Sequence, residues 1–274
     1  MKNKTYVVTG ATSGIGKSLV ERLAKDNIVF AGYRSESKGI ELREISKNIY
    51  PFYVDYAKPE TIKVAIDFIK SRAERIDTLV NIAGCVVAGP VEKVSIDEVR
   101  KQFDVNVFGH IEMTQGLIEC LNDGKIINIS SMSSFGIFPF ISPYCASKRS
   151  LDMFFNSLLI ENKRNLKIVS VKPGVISTPL WDKSVKENSK LIDNCDGYEK
   201  EMNFIAKNAQ KNETKGLSVD RVVDLILNIE SMKNPKLSYL VGKDAVFASI
   251  LSKLPQGLVN KIVKFGLKAR MDRV

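Results

Sequence analysis

The stretch "TGATSGIG", residues 9–16, decides how the rest of the chain is interpreted. It follows the apolar segment "TYVV" and opens a segment with helical periodicity. Gly10, Gly14 and Gly16 would let the backbone turn tightly and approach a pyrophosphate. The helix that follows would direct free N–H groups and its positive dipole end at the same anion. Glycines also mark plain turns, but this placement between a strand and a helix predicts a nucleotide site.

Short apolar segments alternate with longer segments of helical period along the chain. The short apolar segments are rich in β-branched residues. They do not alternate apolar with polar residues, as expected for strands covered on both faces. This order predicts a single α/β domain over residues 1–274, a Rossmann-like, doubly wound parallel sheet of about seven strands with helices on both faces. The predicted strands are residues 5–9, 28–32, 52–55, 78–81, 125–130, 167–172 and 239–242, and the longest helix is predicted over residues 99–121.

Composition narrows the class of protein. Of 274 residues, 44% are apolar and 26% charged, which is ordinary for a globular chain. Neither a run of about 20 apolar residues nor a signal-peptide core is present, so we expect a cytoplasmic protein without a spanning helix. Four scattered cysteines, without CxxC spacing or neighbouring histidines, predict reduced thiols and no metal site.

The end of the second strand bears on the cofactor. An NAD site normally carries an acid roughly 20 residues past the glycine turn, where it binds the ribose hydroxyls. Here "GYRS" places Arg34 at that point, and a guanidinium suits a 2′-phosphate. The sequence therefore predicts NADP(H) as the preferred cofactor, with NAD(H) possible. The alternative is that Arg34 is an ordinary surface residue.

The segment "PYCASKRS", residues 143–150, holds a candidate acid–base pair. Tyr144 and Lys148 are four residues apart and would lie on one face of a helix. An ammonium beside a phenol stabilises the phenolate and lowers its pKa. The same spacing also occurs in ordinary surface pairs, so the pair needs support from the rest of the chain.

Further motifs occur in a fixed order around this pair. They are "NIAG" at residues 81–84, "DVNVFG" with Asn106, "INISS" ending at Ser131, and "KPGVIST" at residues 172–178; Ser131 precedes Tyr144 by thirteen residues. With TGxxxGIG and YxxxK, the chain resembles the short-chain dehydrogenase/reductase family in its classical form, over residues 5–242. Ile82 departs from the NNAG pattern of that family.

The resemblance implies a fold, an oxidoreductase activity and roles for single residues. Tyr144 would be the proton donor or acceptor, and Lys148 would lower its pKa and bind the nicotinamide ribose. Ser131 would donate a hydrogen bond to the substrate oxygen, and Asn106 would hold a water next to Lys148. Residues implied in cofactor binding are Gly10, Thr12, Ser13, Gly14, Ile15, Gly16, Arg34, Asp55, Asn81, Ala83, Gly84, Tyr144, Lys148, Pro173, Gly174, Ile176 and Thr178. Asp55 could instead be a turn residue at a strand end.

The resemblance is strongest to the branch with 17β-hydroxysteroid dehydrogenases, retinol dehydrogenases and related bacterial reductases. Val86, Phe138, Phe140 and Trp181 are candidate pocket residues and favour a hydrophobic ketone or aldehyde. The polar segment of residues 178–217 is expected to act as a substrate lid. The resemblance also implies a homodimer or homotetramer. A non-catalytic NADP-binding sensor is one alternative, although such a protein would be expected to lose Tyr144 or Lys148. A membrane-surface interaction protein on the same fold is the other.

The C-terminal extension, residues 245–274, is basic and amphipathic. The chain carries a net charge of +10, and residues 231–274 contain nine Lys or Arg against two Asp. Beyond Pro255, a predicted helix gathers Leu258, Val259, Ile262 and Val263 on one side and Lys261, Lys264 and Lys268 on the other. Either it packs on the domain or a partner subunit, or it contacts an anionic membrane or the substrate entrance. Nucleic acid is not expected, since no recognition motif accompanies the charge.

Overall fold

The computed structural model describes residues 2–121, 123–189 and 195–272, and within them seven parallel strands form one sheet. The strands are β1 Thr5–Val8, β2 Ile28–Tyr33, β3 Ile49–Tyr53, β4 Thr78–Asn81, β5 Lys125–Ile129, β6 Lys167–Pro173 and β7 Ser238–Val241. Their order is β3-β2-β1-β4-β5-β6-β7. The strand order reverses between β1 and β4, where ligands bind beyond the carboxyl ends of the strands in such sheets. The predicted doubly wound fold is confirmed.

Helices cover both faces of this sheet. They are α1 Gly14–Leu23, α2 Glu36–Ile45, α3 Pro59–Lys70, α4 Ile96–Phe103, α5 Gly109–Leu117, α6 Ser142–Glu161, α7 Leu180–Glu187, α8 Glu199–Lys215, α9 Val219–Ser231, α10 Lys243–Leu251 and α11 Gln256–Met271. One apolar core contains Leu19 of α1 and Ile226 of α9. A second contains Ile69 of α3, Leu117 of α5 and Leu151 of α6. Burial of both faces explains why the strands lack alternating polarity.

The third strand differs from its prediction. It spans Ile49–Tyr53 and therefore starts three residues before Phe52, the expected first residue. Pro51 lies inside it and pairs in register with Ala31. Because β3 is the edge strand, the sheet tolerates a residue without an N–H there.

The long helix expected over residues 99–121 starts earlier and is not uniform. Ser95 caps α4: its hydroxyl accepts a hydrogen bond from Glu98 N, and the Glu98 carboxylate accepts one from Ser95 N. A π-helical turn, Asp104–Phe108, joins α4 to α5, and a 3₁₀ turn, Ile118–Leu121, ends the run. The hydrophobic period predicted the helix but not this irregularity.

The segment of residues 178–217 begins and ends at the same place beside the sheet. Its two ends are joined by a parallel bridge between Ile176 and Leu217. The described part contains α7 and α8, which pack against each other. Residues 190–194 of the expected lid lie outside the described residues.

Pro255 separates α10 from α11, as the sequence predicted. In the described part of the chain, none of the helices combines the length and the apolarity needed to cross a bilayer.

Candidate active site

A cavity of about 250 Å³ lies at the carboxyl ends of the central strands. Most of the predicted site residues line it: Gly10, Thr12, Ser13, Gly14, Ile15, Arg34, Asp55, Ala83, Gly84, Ser131, Tyr144, Lys148, Pro173, Gly174, Ile176, Thr178 and Trp181. The fold therefore brings the glycine turn, the Tyr–Lys pair and the segment after β6 to one place.

The glycine turn forms the floor of the cavity. Gly10 has φ +65°, and a Cβ there would lie 2.9 Å from the Ala83 backbone. Gly14 has φ +50°, also in the left-handed region that favours glycine. Within the described residues, no side chain caps the first turn of α1, so its N–H groups are open toward the cavity. This cradle fits the pyrophosphate of a nicotinamide dinucleotide.

Arg34 lies at the rim, next to a second basic residue. Its guanidinium is 3.6 Å from a carboxylate oxygen of Glu187 on α7. Lys183, one turn earlier on α7, lies 3.7 Å from the same carboxylate and also lines the cavity. Asp55 lines the cavity too, while its carboxylate accepts a hydrogen bond from Ala57 N. Both interpretations of Asp55 therefore have support.

Lys148 is buried beneath the cavity. Its Nζ donates a hydrogen bond of 2.8 Å to the Ile129 carbonyl and lies 5.9 Å from the centroid of the Tyr144 ring. Burial lowers the pKa of Lys148 to about 8, against the opposing effect of the Asp152 carboxylate. The ammonium is thus fixed between β5 and α6.

Tyr144, in the first turn of α6, has a pKa raised to about 12, chiefly by burial. A hydrogen bond with Ser131 acts in the opposite direction. The Lys148 ammonium donates its hydrogen bond to the Ile129 carbonyl, and the lowering of the Tyr144 pKa by Lys148 stays a prediction. Burial outweighs the effect of Ser131 on this pKa.

Ser131 is distinguished from its serine neighbours by its contacts. Its hydroxyl accepts a hydrogen bond of 3.0 Å from Ser133 N and reaches Tyr144. Ser130 Oγ is buried and has no hydrogen-bond partner among the described residues. This arrangement supports the register that the thirteen-residue spacing predicted.

Three of the predicted catalytic and cofactor-binding residues do not line the cavity. Asn106, in the π-helical turn, accepts a hydrogen bond from Cys85 N at 2.9 Å and donates to Ser147 Oγ at 3.0 Å. Asn81 donates to Asn128 Oδ1 at 2.8 Å beneath the surface of the site. Gly16 packs against the Gly10 carbonyl. Their contacts hold the cavity walls in place, and the water expected at Asn106 stays a prediction.

One of the four predicted substrate residues lines the cavity, and the other three do not. Trp181 lines the cavity, and its indole N–H donates to the Ile176 carbonyl at 2.7 Å. Val86, Phe138 and Phe140 are absent from the wall formed by the described residues. Phe140 instead packs on Tyr198 of the 178–217 segment, with ring centroids 6.2 Å apart. A contact of these three residues with substrate stays a prediction.

Sequence reasoning also missed part of the wall, including Tyr33, Tyr56, Ile82, Val105, Met132, Leu180 and Lys183. Tyr33 ends β2, and Ile82 directly follows β4, so the rule on strand carboxyl ends could have found them. Leu180 and Lys183 come from α7, whose position the sequence did not indicate.

His110 is buried in α5 and packs edge-on against Tyr56, with ring centroids 5.0 Å apart. One ring nitrogen lies 2.8 Å from the Ala83 carbonyl. Burial lowers its pKa to about 3, so the ring is neutral at physiological pH. His110 is thus a packing residue of α5 beside the site. All four cysteines are free thiols, as predicted.

Sequence comparison agrees with this geometry. The family described as short chain dehydrogenase matches residues 4–189. The chain belongs to this family. It is an oxidoreductase that acts on CH–OH or C=O groups.

Similar proteins come from several bacteria. An uncharacterized oxidoreductase, YusZ, of Bacillus subtilis is 32% identical over 89% of this chain and 90% of its own. An NADPH-dependent 3-dehydrocapnine reductase of Ornithobacterium rhinotracheale is 30% identical over 96% of both chains. A 3-ketodihydrosphingosine reductase of Bacteroides thetaiotaomicron is 28% identical over 94% of this chain and 96% of its own.

The fold is also similar to solved structures. A short chain dehydrogenase/reductase of Burkholderia phymatum, in complex with NAD, matches with a TM-score of 0.80. The match covers 91% of this chain and 92% of that one, at 17% identity. At this identity the likeness concerns the fold alone.

Proposed function

We propose that this enzyme reduces a hydrophobic ketone or aldehyde to its alcohol with NADPH. The observation that carries the proposal is the Ser131–Tyr144 hydrogen bond, placed with Lys148 on the wall of the glycine-turn cavity. A carbonyl oxygen at this wall would accept hydrogen bonds from both hydroxyls, where negative charge develops during reduction.

Each residue has a distinct task. Because the pKa of Tyr144 is about 12, the phenol is protonated at neutral pH and can give its proton to the developing alkoxide. Lys148 keeps positive charge near that site and is placed to bind the nicotinamide ribose hydroxyls. When bound, the nicotinamide supplies the hydride for reduction or accepts it in the reverse direction. A protonated Tyr144 favours the reductive direction.

Two basic residues support a preference for NADP(H). Arg34 and Lys183 both line the cavity and both approach the Glu187 carboxylate, so they can converge on one anion. A 2′-phosphate is such an anion, and the similar 3-dehydrocapnine reductase is NADPH-dependent. NAD(H) would bind more weakly because its ribose hydroxyls cannot use the guanidinium fully.

The apolar part of the wall supports a hydrophobic substrate. Ile82, Val105, Met132, Leu180 and Trp181 face the cavity beside the reactive hydroxyls. A long-chain ketone fits this surface, and one similar protein is named a 3-ketodihydrosphingosine reductase. In this proposal residues 178–217 act as the lid, since Leu180 and Trp181 of α7 form its inner surface.

We further propose that the enzyme is a homodimer or homotetramer. Met153 and Phe154 on α6 are exposed apolar residues on one helix face, as expected for a surface that a second copy covers. This part of the proposal does not affect the chemistry at Tyr144.

A turnover assay tests the function. NADPH and NADH oxidation would be followed with a panel of long-chain ketones and aldehydes, using the wild type, Tyr144→Phe and Arg34→Asp. We expect NADPH to be preferred, Tyr144→Phe to lose more than about 100-fold in kcat, and Arg34→Asp to shift preference toward NADH. Retention of over a tenth of kcat by Tyr144→Phe would overturn the acid assignment. Equal kcat/KM for the two cofactors in the wild type would overturn the preference.

A further inference from the structure

Helix α11 presents three separate faces. Val259 is 5% exposed and marks the face that packs on the domain. Leu258, Ile262 and Phe265 are 46%, 38% and 76% exposed. Their spacing of four and three residues places them in one row along the helix. The apolar row is therefore not the packed face, which distinguishes this helix from one whose hydrophobic side is covered by its own domain.

A row of lysines lies directly beside the apolar row. Lys261, Lys264 and Lys268 are exposed and spaced by three and four residues. At 100° per residue, the centre of this row is about 90° around the helix from the apolar row. Within the described residues, none of the three forms an ion pair. The helix carries no acid, and Asp272 at its end lies 4.0 Å from Lys200 of α8.

The same character extends before Pro255. Phe247 and Ile250 of α10 are exposed apolar residues, and Lys243 and Lys253 flank them. Exposed apolar residues and unpaired lysines thus continue over both C-terminal helices. An isolated apolar residue at a surface needs no explanation, but a row at helical spacing on two successive helices does.

We propose that α11 lies flat on the surface of an anionic lipid bilayer. Leu258, Ile262 and Phe265 enter the boundary between headgroups and acyl chains, and the lysine row contacts lipid phosphates. A narrow apolar face flanked by lysines is the arrangement of interfacial helices. The proposal does not depend on the substrate, since binding is measured without turnover.

Charge argues for lipid over a second copy of the chain. In a two-fold interface the same patch meets itself, so an antiparallel pairing of the α11 apolar rows would place both lysine rows on the same side of the pair. Like charges that face each other across an interface are unfavourable. An anionic bilayer satisfies the apolar row and the lysines at once.

The test is co-sedimentation of the full chain with vesicles of phosphatidylglycerol and phosphatidylcholine, or of phosphatidylcholine alone. We expect binding to the anionic vesicles at low salt and its loss in about 0.5 M salt, where the Debye length falls to a few Å. Each lysine near the surface contributes about fivefold in affinity, so K261Q/K264Q/K268Q should bind at least about tenfold more weakly. Phe265→Ser should weaken binding with charge unchanged.

The matched control is K47Q/K63Q/K70Q, which removes three exposed lysines on the opposite end of the chain with the same change in charge. Circular dichroism would verify that all variants fold. If the control variant lost vesicle binding to the same extent, net charge alone would explain the effect, and the proposal would be overturned. Equal binding to neutral and anionic vesicles would also overturn it, and so would no binding to anionic vesicles. A third contradicting outcome is that Ile262→Asp dissociates a dimer of the chain but leaves vesicle binding unchanged.

Discussion

At the scale of single residues, Ser131 decides how Tyr144 can act. The hydrogen bond between them lowers a pKa that burial raises. Ser131 is held by its own contact with Ser133 N, so its hydroxyl is oriented before any substrate arrives. A preorganised donor of this kind stabilises charge in the transition state without reorganisation.

Ser131→Ala should therefore lower kcat by about 10²–10³-fold, the usual cost of losing one oxyanion donor. It should also raise the apparent pKa of Tyr144, because the hydrogen bond that lowers it is gone. The matched control is Ser130→Ala, whose hydroxyl has no partner among the described residues. Steady-state kinetics of the two variants checks this. A larger loss in Ser130→Ala would show that the serine register is wrong.

A buried ion pair supports Lys148 from below. Asp152 lies one helical turn after Lys148. Its carboxylate accepts a hydrogen bond from Ser170 Oγ at 2.9 Å and forms an ion pair with Lys172 Nζ at 2.7 Å. Lys172 also lies 4.4 Å from the centroid of the Phe135 ring, just after the Ser131 turn. Tyr144, Cys85 and His110 are the other titratable groups around Lys148. Asp152 has the larger of the two effects that raise the pKa of Lys148, and Cys85 has the smaller.

Asp152→Asn should lower the pKa of Lys148 below about 8, because burial is then less opposed. A lysine that loses its proton at lower pH shifts the alkaline limb of kcat/KM for reduction to lower pH. Stability should fall by roughly 3–5 kcal/mol, since Lys172 is left buried without its partner. The pH–rate profile separates the two effects.

The double variant Asp152→Asn with Lys172→Met should regain part of the lost stability. Its alkaline limb of kcat/KM should still lie at lower pH than in the wild type. Asp67→Asn, an exposed carboxylate on α3, serves as the control. If Asp152→Asn folds and its alkaline limb of kcat/KM is unchanged, the Asp152–Lys172 ion pair has a structural role only.

At the scale of elements, α7 connects the two ends of the cavity. Leu180 and Trp181 line the cavity, whereas Glu187 at the end of α7 approaches Arg34 at the rim. The pair is 3.6 Å apart with both side chains well exposed, so it contributes at most about 1 kcal/mol. A 2′-phosphate on Arg34 would have to replace this carboxylate.

Glu187→Gln should accordingly lower the KM for NADPH by about two- to fivefold, because a weak surface pair of roughly 0.5–1 kcal/mol no longer competes for Arg34. The KM for NADH should change little. Asp182→Asn, which removes a carboxylate of the same helix paired with Lys186, is the control. Equal improvement with both cofactors would contradict a specific effect at the 2′-phosphate.

The elements also show where sequence reasoning stops. The seven strands follow from the pattern of short apolar segments, and their predicted positions agree with the structure within a few residues. The π-helical turn at residues 104–108 does not, because its wider backbone serves the contacts of Asn106 with Cys85 and Ser147 across the fold. The same holds for α7, a polar helix whose placement depends on the bridge between Ile176 and Leu217.

At the scale of the whole molecule, motifs predicted the cavity residues at the glycine turn and the strand ends better than those of the apolar wall. Glycine turns and strand ends have fixed geometry, so Gly10, Ala83 and Gly174 were found. An apolar wall depends on which side chains face inward, and Phe138 and Phe140 were chosen without that information. Segments far apart in sequence, such as β2 and α7, meet there only after folding.

The last prediction concerns the independence of the catalytic domain from its C-terminal helix. The sheet and both apolar cores end before residue 254, and α11 contributes mainly Val259 to the interior. A chain truncated after Lys253 should keep its fold, with the free energy of unfolding lowered by about 1.5–3 kcal/mol at most, the value of one buried valine. It should retain most of its kcat on small water-soluble carbonyls while losing vesicle binding. Thermal unfolding and kinetics of the two chains test this. A truncated chain that folds but has lost turnover on small carbonyls would mean that α11 completes the active site.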